Sequence, residues 1–369
     1  MAKPYKISLA NTSFDFTEAE NLKSCIESGM VTYIGKYVKK FEQLFGQYVN
    51  SKNCLSVSNG TNAIELALRT IGIKKNDKVI VPNFTFAAVI NAVLLVGAIP
   101  LIVDVDRDTW TIDIDAIKKN INKNVRAIIA VHTYGQPCKI DEIKRLVKNK
   151  NIKIIEDCAE AMGARYKNKK IGNFSDFNTF SFYANKAITT GEGGMIVFKS
   201  KKHAILAEGL RNQGRFKRTD YKNKVVGTNF RMSNLQAAVG VAQLKKINIF
   251  LKKRKRIFEL YDKFFQNIKN ISLLPKNSWS QNSYWLYTIL LNNYGEKKRD
   301  KIIKSLQNVG IETRPGFYPL CKMNPYKKFA KGNYKNSNYI AYNTFSIPTH
   351  VDLTFSDQKY IVNQIKKLL

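Results

Sequence analysis

Short apolar runs and longer amphipathic runs take turns through the first half of the chain, and this alternation restricts the fold more than any other feature. Strands are expected at Asn53–Val57, Lys78–Pro82, Pro100–Val105, Val125–Val131 and Ile152–Glu156. Interleaved with them, helices are expected at Ala63–Ile71, Phe84–Val96 and Asp141–Lys148. Strands and helices in this order make an α/β fold, a mostly parallel sheet between helices. Ligands of such sheets bind at the carboxyl ends of the strands, so the residues just beyond each strand are the candidates for function.

Those residues are Gly60 and Thr61, then Phe84, Thr85 and Phe86, then His132, Tyr134 and Gly135, and finally Asp157 and Glu160. The segment Ser58–Asn62 passes from strand to helix through small polar residues, which aims free backbone N–H groups and a helix dipole at an anion. The same residues also serve as ordinary N-caps. Further on, Phe180–Tyr183 reads as a short strand and Met195–Val197 as a second apolar run, with Lys186 on the turn between them and three glycines in Gly191–Gly194. Glycines so placed suit a sharp turn or a close approach. A lysine held between buried strands is desolvated, which lowers its pKa and makes the amine a nucleophile able to form a Schiff base. Helix-start amides for a phosphate, a phenyl ring for an aromatic ring, a carboxylate for a protonated ring nitrogen and a lysine for an aldehyde together describe a pyridoxal phosphate site. Taken singly, Asp157 also fits a turn, Phe86 a core and Lys186 a solvated hairpin.

At 369 residues two domains are expected, a large one at 1–244 that includes an N-terminal arm and a smaller α/β one at 245–369. Amphipathic helices are expected at Thr17–Ser28 and Tyr37–Val49, and a long helix with a Ser233/Gln236 capping box from Asn234 towards Ile268. Beyond it come a strand at Ser283–Leu291, a helix at Lys297–Asn308, a strand at Ile311–Arg314, a polar loop at Tyr326–Asn338 and a final helix at Asp357–Leu368 capped by Ser356. The five cysteines are scattered without a CxxC pair and the three histidines lie far apart, so neither disulfides nor a metal centre is expected. No apolar run reaches membrane-spanning length and Met1–Ala10 lacks the apolar core of a signal peptide, which points to the cytoplasm. The net charge of +33 could draw nucleic acid, but the lysines are spread along the whole chain. Even the run Lys252–Arg256 sits between apolar pairs as a solvated helix face would, so no nucleic-acid partner is expected.

In seven ordered blocks the chain resembles the nucleotide-sugar aminotransferases of the DegT/StrS type, enzymes of the fold type I pyridoxal phosphate class. The blocks are Ser58–Thr61, Val81–Phe86, His132–Pro137, Glu156–Ala161, Ser181–Lys186, Gly191–Gly194 and Asn229–Ser233. The resemblance implies that Lys186 carries the coenzyme, Asp157 faces its pyridine nitrogen and Phe86 stacks on its ring. It implies a phosphate held by Gly60, Thr61 and Ser181, with Asn229 reaching in from the second subunit of a homodimer. Arg231, Arg314, Tyr318 and Tyr183 would lie towards the substrate, and the basic loop Arg211–Arg218 would meet a nucleotide diphosphate or stay solvated. Relatives that dehydrate the sugar carry histidine where this chain has Lys186, so amination is implied.

Glu160, where many relatives have Gln or His, would lie beside the coenzyme's phenolic oxygen. Together with Gly310–Pro315 and Phe317–Leu320 it resembles the perosamine synthase branch, and where that branch commonly ends the segment in histidine this chain has Cys321. The implied reaction moves an amino group from glutamate to C4 of a nucleotide-linked 4-keto-6-deoxyhexose, giving a perosamine- or viosamine-type sugar. Amination at C3, or a non-catalytic regulator on the same scaffold, are the alternatives.

Overall fold

The computed structural model describes residues 5–217, 219 and 221–369. Among the described residues nine strands lie in the first part of the chain: β1 (Cys54–Val57), β2 (Lys78–Pro82), β3 (Ile99–Val103), β4 (Val125–Val131), β5 (Lys153–Asp157), β6 (Arg165–Tyr166), β7 (Lys169–Lys170), β8 (Phe177–Ser181) and β9 (Gly194–Phe198). Seven of them form one sheet in the order β1-β9-β8-β5-β4-β2-β3. The pairs β8–β5, β5–β4, β4–β2 and β2–β3 are parallel, and β9 alone runs against its neighbours β1 and β8.

Successive strand residues feed opposite cores, as a period of two demands. Val79, Val81, Ala127 and Ile129 face the core shared with helices Gly60–Ile71 and Ala88–Leu95. Ile80, Ile128 and Ile154 face the core shared with helices Lys36–Val49 and Asn234–Phe265. In that second core Phe45 is fully buried, with its ring centroid 4.9 Å from Phe180 and 5.5 Å from Phe182. Each such phenyl contributes about 2–3 kcal/mol through burial, and the aromatic cluster fixes the strand that leads into the lysine turn.

Later strands are β10 (Ile271–Ser272), β11 (Ser280–Gln281), β12 (Tyr287–Leu291), β13 (Arg314–Pro315) and β14 (Thr344–Ile347). Four of these make a second sheet in the order β10-β12-β14-β13, while β11 joins β6 and β7. The second sheet has its own core around Tyr261, Phe265, Tyr287, Phe345 and Ile361. Helix Asn234–Phe265 runs unbroken from one core to the other, so residues 244 and 245 lie inside it.

Several expectations shift. Strand β8 begins at Phe177 and ends before Phe182, because its pairing with β9 runs from Phe177–Phe198 to Ser181–Gly194. The helix expected from Phe84 starts at Ala88, since Asn83–Phe86 spread over the carboxyl end of the sheet. The cap of the final helix is Thr354 rather than Ser356: Thr354 accepts from the Asp357 amide at 3.1 Å and Asp357 accepts from the Thr354 amide at 3.1 Å. The strand expected at Ser283–Leu291 begins at Tyr287. Part of the expected polar loop Tyr326–Asn338 is the start of helix Lys335–Asn343. The Ser233/Gln236 capping box is present. Among the described residues no helix is long and apolar enough to cross a membrane.

Candidate active site

The carboxyl ends of β5 and β8 lie side by side, with Asp157 in register with Thr179. Asp157 is 6% exposed, and its Oδ1 accepts from the Ala159 amide at 3.0 Å. Burial raises its pKa, while the Ala159 amide, Lys186 and His132 pull it back down. Behind it, His132 and Glu156 are fully buried and joined at 3.1 Å. The Cys138 amide donates to His132 Nδ1 at 3.0 Å, which places the ring proton on Nε2, facing Glu156. With Cys158 these two form a compact group of potential metal ligands, but the imidazole already has a partner at each nitrogen.

Lys186 follows β8 on a turn closed by its own amide and the Tyr183 carbonyl at 2.9 Å. Its Nζ lies 4.1 Å from the centre of the Trp285 ring. Burial lowers the amine's pKa, while Glu160 and Asp157 both act to raise it. The two carboxylates and the amine therefore share one desolvated space. Glu160 is held there by the Tyr134 amide, which donates to Oε2 at 2.6 Å. Burial pushes its pKa up to about 7, opposed by Lys186 and the Tyr134 amide and helped by Asp157.

A segment from the later part of the chain clamps this arrangement. Ser283 Oγ donates to the Glu160 carbonyl at 2.6 Å, Asn282 Nδ2 donates to the Tyr134 carbonyl at 3.0 Å, and the Ser283 amide donates to Gly135 at 3.2 Å. Both Tyr134 and Tyr284 adopt left-handed backbone conformations, with φ of 50° and 61°. Non-glycine residues in that region cost about 1–3 kcal/mol each and persist where their surroundings hold them. The Tyr134 ring stacks on Phe317 at 5.0 Å and on Trp285 at 5.9 Å. Phe86, 63% exposed, offers an open aromatic face beside Phe317, 6.3 Å between centroids.

The helix Gly60–Ile71 begins against this group. Asn59 caps it by accepting from the Asn62 amide at 2.8 Å, which leaves the Gly60 and Thr61 amides free at the helix start. A Cβ on Gly60 would sit 2.8 Å from Ser181 Cβ, and one on Gly194 would sit 2.6 Å from the Asn59 carbonyl oxygen. Glycine at both places lets strand, hairpin and helix start close up into a cradle of amides and the Ser181 hydroxyl, which fits a phosphate. Buried Asp157 fits a protonated ring nitrogen, the open Phe86 face fits an aromatic ring and the desolvated Lys186 fits an aldehyde. The donor set thus matches pyridoxal phosphate.

Other expected site residues lie further out. Arg231 donates to Asn229 Oδ1 at 2.8 Å and to Asn212 Oδ1 at 2.9 Å, and lies over Tyr33 at 4.0 Å. Tyr183 and Tyr318 are exposed, and exposed Arg314 pairs with Glu312 at 3.1 Å. Arg211 departs from expectation. It is buried, paired with Glu42 at 2.8 Å and with Glu208 at 2.5 Å, and also bonded to the Ser56 carbonyl, so it braces the fold and is not free to meet a diphosphate. Arg218 lies outside the described residues. Ser283 and Trp285 read in the sequence only as residues of the expected strand Ser283–Leu291, and Phe317 only as part of the segment Gly310–Leu320 that carries the resemblance.

A half-buried lysine within the field of two buried carboxylates, at the carboxyl ends of a mostly parallel sheet, is the arrangement of a lysine-centred α/β enzyme. The chain belongs to the DegT/DnrJ/EryC1/StrS aminotransferase family, whose profile matches residues 13–366. It is 37% identical over 355 residues to a GDP-perosamine synthase of Vibrio cholerae, covering 96% of each chain. A sugar aminotransferase of Streptococcus pneumoniae, solved in its PMP form, superposes with a TM-score of 0.93 at 27% identity, with 99% of this chain and 98% of that one covered. The GDP-4-keto-6-deoxy-D-mannose-3-dehydratase of Escherichia coli with bound hydrated PLP superposes with a TM-score of 0.90 at 26% identity, covering 98% of this chain and all of that one.

Proposed function

We propose that this aminotransferase uses pyridoxal phosphate to move an amino group from glutamate to C4 of a nucleotide-linked 4-keto-6-deoxyhexose, giving a perosamine- or viosamine-type sugar. The observation that carries the reading is Lys186, desolvated and sensed by both Asp157 and Glu160. The coenzyme, when bound, supplies an electron sink for the carbon that loses or gains a proton. Gly60, Thr61 and Ser181 would hold its phosphate, Phe86 its ring face and Asp157 its ring nitrogen, whose positive charge would keep this buried carboxyl ionised. Glu160 would stand beside its phenolic oxygen. The large domain, residues 1–244, would supply these groups, and residues 245–369 would close over them through Asn282–Trp285 and Phe317.

Lys186 moves the proton. Burial lowers its pKa, which favours the free amine that takes a proton from one carbon and returns it to another. The Trp285 ring face, 4.1 Å away, steadies the ammonium once formed. The lysine also separates this chain from dehydration, because a superposable dehydratase fold does not by itself tell the two chemistries apart. Arg231, Arg314, Tyr183 and Tyr318 would meet the sugar nucleotide. Asn229 is exposed and Arg231 half-buried, and in a homodimer Asn229 would serve the opposite site.

Incubation with glutamate and GDP-, UDP- or dTDP-linked 4-keto-6-deoxy sugars is the test. A 4-amino product by NMR, and visible absorbance lost in Lys186→Ala, are expected. No turnover of any of these sugars, or amination at C3, would overturn the reading.

A further inference from the structure

Arg254, on helix Asn234–Phe265, is 3% exposed. Its Nη1 donates to the Trp285 carbonyl at 2.8 Å, and its Nε is buried with no partner. Burial alone moves its pKa, down to about 10, and no acid nearby opposes this. The guanidinium therefore still carries its charge at neutral pH, with its buried Nε donor unused.

The nearby acids are engaged elsewhere. Glu18 is held by Lys246 at 2.5 Å and by Gln243 at 2.7 Å, and Asp352 faces Lys253 at 3.8 Å near the surface. His350 is pushed towards its neutral form, by burial first, and its Nδ1 has no partner. Beside the guanidinium lies a cavity of about 10 Å³ lined by Arg254, Lys186, Thr189, Gln243, Thr12 and Ser13. That volume holds about one water-sized sphere. A buried charge is ordinarily paired or coordinated; Lys186 has Asp157 and Glu160 beside it, whereas among the described residues no acid acts on Arg254. Arg254 is already covered within one chain, so a second subunit is not needed to bury it.

We propose that this cavity is a binding site for one small monovalent anion of the halide type, held by the unused Nε donor of Arg254. A water molecule would satisfy a donor but leave the charge uncompensated; chloride does both. The site lies against the turn that carries Lys186, so its occupancy stabilises that turn.

Crystals of the holoenzyme grown or soaked in bromide test this directly. An anomalous peak within hydrogen-bonding distance of Arg254 is expected. A water there, a group from another chain, or bromide only on the outer surface would overturn the proposal. In solution, chloride should raise Tm by roughly 1–3 °C over gluconate at equal ionic strength. Arg254→Met should abolish that difference, and its persistence would also refute the site. The crystal experiment uses the unaltered chain and so stands if the variant fails to fold.

Discussion

Replacing Glu160 by glutamine isolates the electrostatics of the site. The carboxyl is 6% exposed, and burial carries its pKa from 4.5 to about 7. Between those two values the native protein holds a proton that the unfolded chain has already released. Stability therefore falls as pH rises from about 4.5 to about 7, and stays at the lower level above that. The full loss is on the order of 3 kcal/mol.

Glutamine cannot ionise, yet keeps an oxygen to accept from the Tyr134 amide, so the Glu160→Gln variant should escape the loss. Asp157 and Lys186 titrate in both proteins, so their own contributions largely cancel in the comparison. The attraction between ionised Glu160 and Lys186 is already contained in the Glu160 value of about 7.

Urea unfolding of the apoenzyme at pH 5, 6, 7 and 8 reads the effect. The two proteins should be close at pH 5, and the variant should become progressively more stable towards pH 8. A gap that does not change with pH, or a variant that is the less stable at pH 8, would refute the reasoning. In the holoenzyme, loss of Glu160 should move the pH at which the bound coenzyme changes colour.

Two further outcomes follow from packing. Gly194→Ala places a methyl 2.6 Å from the Asn59 carbonyl oxygen and 2.9 Å from that of Phe180; neither is a side chain that can swing away. It should cost roughly 1–3 kcal/mol or more, read as a lower Tm, and should weaken coenzyme binding because the cradle opens. Arg211→Met strips the counter-charge from Glu42 and from the more exposed Glu208 and should lower stability by about 1–3 kcal/mol. At a temperature where the variant is folded its KM for the sugar nucleotide should be unchanged, and a KM raised tenfold would return Arg211 to the substrate site.

What the sequence reveals about this molecule follows the range of the forces involved. Strands β2 and β4 are legible to the residue, because a continuous apolar run buried on both faces is a local property. The Ser233/Gln236 capping box is legible for the same reason. Groups at the carboxyl ends of strands are legible as a set, since parallel topology forces them to one edge whatever their side chains do. Asp157 and Glu160 therefore come together with Lys186 as the alternation requires.

The clamp was invisible because it is made between distant parts of the chain. Ser283 and Asn282 reach back more than a hundred residues to Glu160 and Tyr134, and they do so by giving up the strand conformation that their apolar neighbours favour. Arg211 misleads for a related reason. A basic stretch reads as a solvated or ligand-facing loop unless Glu42, 169 positions away, is known to be beside it. The pKa values behind the proposed chemistry belong to the same class: burial, which no local pattern records, is the largest influence on Asp157, Glu160 and Lys186 alike. The identity of the reactive groups is thus written locally. Their reactivity is set by residues such as Ser283 and Trp285, which come into contact with them only when the chain is folded.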